Sequence, residues 1–219
     1  DLSSTTVVSV ETILGTSVAD TITVDTADVT GATVDGAAGT DTLRLATASL
    51  DLSSTSLVSV EAILGTANAD TITVDTADVQ GASIDALGGA DILALATTAL
   101  DLSSTTLTSV ETILGTSTAD AITVDADDVR HATVAAGAGS DTLTFASSVV
   151  DLSSTTLSSV ETIRGTANDD TITVNTADVA DATLDARDGA DTLQMADATL
   201  DLSSTTLVSV ETIRGAGAA

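Results

Sequence analysis

Apolar and polar residues alternate along this chain in runs too short for helices. In "DTITV" (20–24), Ile22 and Val24 share one face while Thr21 and Thr23 take the other. "DTLRL" (41–45) repeats the arrangement, with Leu43 and Leu45 against Thr42 and Arg44. Later copies keep Leu93, Leu143 and Leu193 at the first apolar place and Leu95, Phe145 and Met195 at the second. The position between them drifts through Ala94, Thr144 and Gln194, as a solvent-facing site does. A period of two with one apolar face predicts half-buried strands. "ATVDG" (32–36) and "SVETI" (9–13) read as further strands. In "SVETILG" Val10 and Ile13 lie three apart, so a bend or bulge is expected between Glu11 and Thr12. Leu14, Leu64 and Leu114 give way to Arg164 and Arg214, so this position is expected to point outward.

The pattern recurs as a whole. "DLSST" stands at residues 1, 51, 101, 151 and 201, each time followed by "SVE", an Ile and a Gly. The repeats are therefore 1–50, 51–100, 101–150 and 151–200, with a partial repeat at 201–219. Such periods belong to solenoids, propellers or arrays. Within one unit, two Gly-containing turns end in Asp and each feeds a strand: "GTSVAD" before "TITV" and "GAAGTD" before "TLRL". The unit reads as two unequal coils, of 21 residues from Asp20 to Asp41 and 29 from Asp41 to Asp70. The expected fold is all-β, a parallel β-solenoid of the β-roll or β-helix kind with two coils per 50-residue repeat. Residues 1–219 would form one repetitive segment. A propeller is the alternative, but its blades need four antiparallel strands and usually carry aromatics.

Composition narrows the partners. The net charge is −28, from 33 acids against five Arg, with no Lys, Cys or Pro and one Phe. Nucleic acid is excluded as a partner because phosphate contacts need clustered positive charge. No apolar run reaches membrane-spanning length. Val, Ile and Thr are too abundant for a disordered acidic chain. Cations are the natural partners. The chain begins and ends in repeat phase and carries no initiating Met, so it reads as part of something longer that meets further copies of the repeat end to end or laterally. Leu14, Leu64 and Leu114 would form a lateral contact stripe.

The turns "GAAGTD", "AGAGSD" and "GTANDD" resemble the RTX, or haemolysin-type calcium-binding, repeats of secreted bacterial proteins, whose pattern is G-G-x-G-x-D-x-U-x. The fourth-place Gly falls on Gly39, Gly89, Gly139 and Gly189, the Asp on Asp41, Asp91, Asp141 and Asp191, and the apolar place on Leu43, Leu93, Leu143 and Leu193. The other turn begins at Gly15, Gly65, Gly115 or Gly165 and ends at Asp20, Asp70, Asp120 or Asp170. It has Val18, Asn68, Thr118 or Asn168 where the family has Gly, and the family's tandem nonapeptides are missing. The resemblance implies a calcium-binding β-roll, type I secretion and an extracellular or cell-surface location. The eight aspartates would be its metal ligands and Ca²⁺ its cofactor.

Electrostatics bears on the same residues. Aspartates at equivalent places on adjacent coils would stack about 4.8 Å apart and repel unless neutralised. Ca²⁺, which takes six to eight oxygens, would neutralise them. So would the turn's own N–H groups, which commonly bond to an Asp before a strand. Glu11, Asp35 and their copies read as solvated surface. "SSTT" reads as hydroxyl ladders between coils. His131 is unique and reads as surface decoration, and no Ser–His–Asp set recurs, so no enzyme is expected. The sequence thus points to a structural repeat module of an extracellular bacterial surface layer, adhesin or matrix fibre, with calcium in its acidic turns. The alternatives are a calcium-independent filament and an ice-binding solenoid. For ice, the Thr21/Thr23, Thr71/Thr73 and Thr171/Thr173 pairs are broken at Ala121 and by the "TLRL"-type strands.

Overall fold

Backbone hydrogen bonding places every strand beside one that lies a coil away. In a computed structural model, which describes residues 1–216 apart from 6 and 8, all the strand pairs are parallel and in register. The chain divides into two compact units, residues 1–97 with 104–112 and residues 98–103 with 113–219. Each is a parallel β-solenoid.

In the first unit, Thr21 stands beside Thr42, Thr42 beside Ala62, Ala62 beside Ser83 and Ser83 beside Thr106. The offsets are 21, 20, 21 and 23 residues, so a coil is nearly constant in length. The expected alternation of 21- and 29-residue coils is replaced by uniform ones, and fifty residues make two coils and about a third of the next. The cause is a third side. From Thr33 to Val74 the chain visits three sheets in rotation, as strands Thr33–Asp35, Thr42–Leu45 and Ser49–Asp51 and then Ser56–Val58, Ala62–Leu64 and Thr71–Val74. The first of each trio pairs with the first of the next, and so on. The second unit does the same from Thr133 to Val174.

The core is the inward column on each face. Ile22, Leu43, Ile63 and Ile84 follow one another in register in the first unit, as do Leu100, Ile122, Leu143, Ile163 and Leu184 in the second. Nearly all are fully buried, and none is larger than Phe145, the one aromatic in the core. At roughly 1.5–3 kcal/mol for each fully buried aliphatic side chain, these columns supply the main folding force. Arg44 is exposed and Leu14 points outward, as the alternation predicts.

Two local features differ from expectation. The break in "SVETILG" falls at Ser59, not between Glu and Thr. Ser59 takes φ +50, its copies take similar values, and the chain there leaves Ser56–Val58 for the next face at Ala62–Leu64. The second feature is a single helical turn at Thr26–Val29, Thr76–Val79 and Thr176–Val179. Its cause is local. Asp75 accepts from the N–H groups of Ala77 and Asp78, and the Asp78 carboxylate accepts from the Asp75 N–H, a reciprocal capping box. The turn packs on Ser56–Val58 and takes a strand's place on that face.

Candidate functional site

The acidic corners were the predicted site, and the sequence builds them by close approach. Gly65 sits where a Cβ would come within 2.5 Å of the Ala86 carbonyl oxygen and 2.7 Å of Asp70 Oδ2. Gly89 has φ +151, and its Cβ would stand 2.5 Å from the Asn68 carbonyl oxygen on the neighbouring coil. Glycine at these places lets backbone press against backbone and encloses the aspartates between.

Asp41, Asp91, Asp141 and Asp191 are each 1% exposed, and Asp70, Asp120 and Asp170 are buried as well; Asp20 is half-buried. Their partners are backbone donors. The Thr66 N–H donates to Asp70 Oδ2 at 2.6 Å and the Thr66 hydroxyl to Asp70 Oδ1 at 2.8 Å. The Asp70 N–H donates to Asp91 Oδ1 at 2.7 Å, and the Asp91 N–H to Glu111 Oε2 at 2.7 Å. The same chain of bonds runs through Asp20, Asp41 and Glu61, through Asp120, Asp141 and Glu161, and through Asp170, Asp191 and Glu211. The eight predicted aspartates are therefore joined in pairs, and Glu, not a further Asp, completes each column. Glu61, Glu111, Glu161 and Glu211 are exposed, as expected, and each also accepts a corner N–H through Oε2. Their uniform place after "SV" in the repeat was the signal available.

One atom per repeat is left over. Asp41, Asp91, Asp141 and Asp191 each bury an Oδ2 without a hydrogen-bond partner. The first turn supplies Thr16, Thr66, Thr116 or Thr166 as a double donor, whereas the second turn has Ala37, Leu87, Gly137 or Arg187 at that place. At Asp70, Asp120 and Asp170 the Oδ2 takes the Thr backbone N–H, whereas in the second turn the N–H of Ala37, Leu87 and Arg187 goes to Asp35, Asp85 and Asp185 instead. Burial, opposed in part by the Asp70 N–H and assisted by the Glu111 and Asp70 carboxylates, raises the Asp91 carboxyl above its usual range. Asp191 is raised in the same way.

These side chains fit calcium poorly as arranged. Most corner oxygens face N–H or O–H donors, whose hydrogens would be turned toward any cation. Among the described residues no group of three or more His, Asp or Glu side chains is placed to hold a metal ion. The left-over Oδ2 atoms are both buried and free of a donor.

The remaining acids do similar work. Asp51, Asp101, Asp151 and Asp201 accept from the N–H two residues on, as do Asp35, Asp85 and Asp185. The "SST" hydroxyls bond to backbone and not to one another. Thr55, Thr105, Thr155 and Thr205 donate to the carbonyls of Val29, Val79, Val129 and Val179. Aspartate here is a turn-former, and the acidity of the chain is largely a by-product of that role.

Compared with family models and with curated proteins, the chain matches none. Among the described residues no helix is long and apolar enough to cross a membrane.

Proposed function

We propose that this chain is a structural repeat module of an extracellular bacterial surface layer, adhesin or matrix fibre. It would act as a spacer whose corners are held by its own backbone. The observation that carries the reading is the coil-to-coil bond from each corner Asp N–H to the next carboxylate, present in all four repeats. Such bonds tie each coil to the next without an external ligand. The module is read as non-catalytic, and its partners as further copies of the repeat. The expected stripe of Leu14, Leu64 and Leu114 does not form, because the three stand in three different sheets and Leu64 is half-buried.

A second reading keeps Ca²⁺ at Asp20, Asp41 and their copies, as the RTX-like turns imply. The unpartnered, buried Oδ2 of Asp41, Asp91, Asp141 and Asp191 favours it. An ice-binding surface is disfavoured by register. Thr23 stands beside Arg44, Arg44 beside Leu64 and Leu64 beside Asp85, so the outward row is not a threonine row.

Circular dichroism during calcium titration separates the readings. The scaffold reading expects complete β-sheet signal in chelator. A chain that is coil in chelator and becomes sheet at millimolar Ca²⁺ overturns it in favour of the calcium-loaded form.

A further inference from the structure

The third repeat breaks the pattern at one place, where Ala126, Asp127, Arg130 and His131 replace the Thr76, Ala77, Gln80 and Gly81 of the second. The consequences are chemical. In the first and fourth repeats the hydroxyls of Thr26 and Thr176 accept from the N–H groups of Asp51 and Asp201. Ala126 has no hydroxyl to take the Asp151 N–H. In the other three repeats the N–H of Gly31, Gly81 or Asp181 donates to the hydroxyl of Ser54, Ser104 or Ser204. The His131 N–H makes no such bond, so the Ser154 hydroxyl is released.

His131 takes φ +64, the conformation that Gly31, Gly81 and Asp181 take at the same corner, so its side chain is added to an unchanged turn. Arg130, His131, Asp151, Ser153 and Ser154 together line a cleft of about 320 Å³. Arg130 is held only by an exposed pair with Asp127 at 3.6 Å, so it is free to turn to a ligand.

We infer that this cleft is a binding site for a phosphate group. The guanidinium of Arg130, the imidazole of His131 and the hydroxyls of Ser153 and Ser154 form a set of donors in a chain otherwise dominated by acceptors. A guanidinium fork beside hydroxyls suits a tetrahedral oxyanion. Asp151, whose Oδ1 already accepts from the Ser153 N–H, adds one acceptor to the lining. That acceptor selects phosphate, which carries a proton at neutral pH, over sulfate, which does not. The site is independent of the scaffold reading and of calcium.

The test is amide-resolved NMR of the full chain, titrated with sodium phosphate, with glycerol phosphate and with sodium sulfate at matched ionic strength. Saturable shifts confined to residues around 130–131 and 151–154 are expected with phosphate. Sulfate should bind at least about tenfold more weakly, the ratio that one lost charge-assisted hydrogen bond sets. Inorganic phosphate should bind more tightly than glycerol phosphate at neutral pH, because the ester, with a second pKa of about 6, has lost most of the proton that Asp151 would accept; the reverse order overturns the proposal. The variant Ala126→Thr, Asp127→Ala, Arg130→Gln, His131→Gly restores the second repeat's "TADVQG", which folds as Thr76–Val79 and its cap do, and it should lose the response. Arg130→Gln alone should weaken it. Shifts that fail to saturate, that persist in the restored variant, or that sulfate reproduces equally overturn the proposal.

Discussion

Gly88 and Gly89 are neighbours in sequence with opposite demands. Gly88 has open space where a Cβ would lie, whereas Gly89 combines φ +151 with a Cβ position 2.5 Å from the Asn68 carbonyl oxygen and 2.6 Å from the Ala69 nitrogen. Gly89→Ala is therefore expected to cost about 1–3 kcal/mol, from a backbone region that excludes side chains and from contact with the adjacent coil. Gly88→Ala should stay within about 0.5 kcal/mol. Urea unfolding followed by circular dichroism checks both, and equal costs would mean that the coils are not in the stated contact. The sequence singled out Gly89 through its place in an RTX-like turn. Its second cause, the pressure of the coil beneath, was not legible, because no local pattern announces which residue lies 21 positions away. Asp91 was likewise recognised as a corner acid, but its partnership with Glu111 depends on the same unseen register.

At the scale of elements, strands were the readable part and the helical turn was not. "DTITV" and "DTLRL" show their inward face by alternation, and both became strands with that face buried. "DTADV" is only one turn long, too short for any helical period to appear. Its one sign is a pair of acids three apart, which turns out to be the capping box of Asp75 and Asp78. That box buries a carboxylate in every repeat. Burial is the main cause that raises Asp78 to about 6, Asp128 to about 7 and Asp178 to about 6, from 3.8. Asp75 beside Asp78, Asp125 and Asp127 beside Asp128, and Asp197 and Asp151 beside Asp178 add to it. Between the unfolded and folded values the folded chain holds more protons than the unfolded one. Stability therefore rises as the pH falls from above 7 toward 4 and is lost again as it climbs through the folded values. Thermal unfolding should show a higher Tm at about pH 5 than at about pH 8. Asn at positions 78, 128 and 178 together keeps an acceptor oxygen and should flatten that slope. An unchanged slope would assign it to other carboxyls, the corner Asp91 and Asp191 first.

For the whole molecule, the fifty-residue period was read correctly as a solenoid but misjudged its coil. A coil is set by backbone register, 20–23 residues here, while the sequence repeats only after two coils and about a third of another. The same residues thus serve different sheets in successive repeats, and nothing in their pattern marks which sheet they will join. Charge is the property that was plain from the start. Its net value is −28, and among the described residues two ion pairs form, Arg130 with Asp127 and Arg164 with Asp185 at 3.7 Å. Hydrogen bonds from backbone N–H groups satisfy the acids without cancelling their charge, so repulsion among them remains as a cost of compaction. Raising sodium chloride from about 0.01 M to about 0.15 M shortens the screening length from about 30 Å to about 8 Å. Tm is therefore expected to rise over that range. Calcium chloride at matched ionic strength should add little beyond the sodium effect if the corners are held by backbone alone. A large further rise at low millimolar calcium would mark ions held at the buried Oδ2 atoms, and that result would move the module from the self-supporting scaffold to the calcium-loaded one.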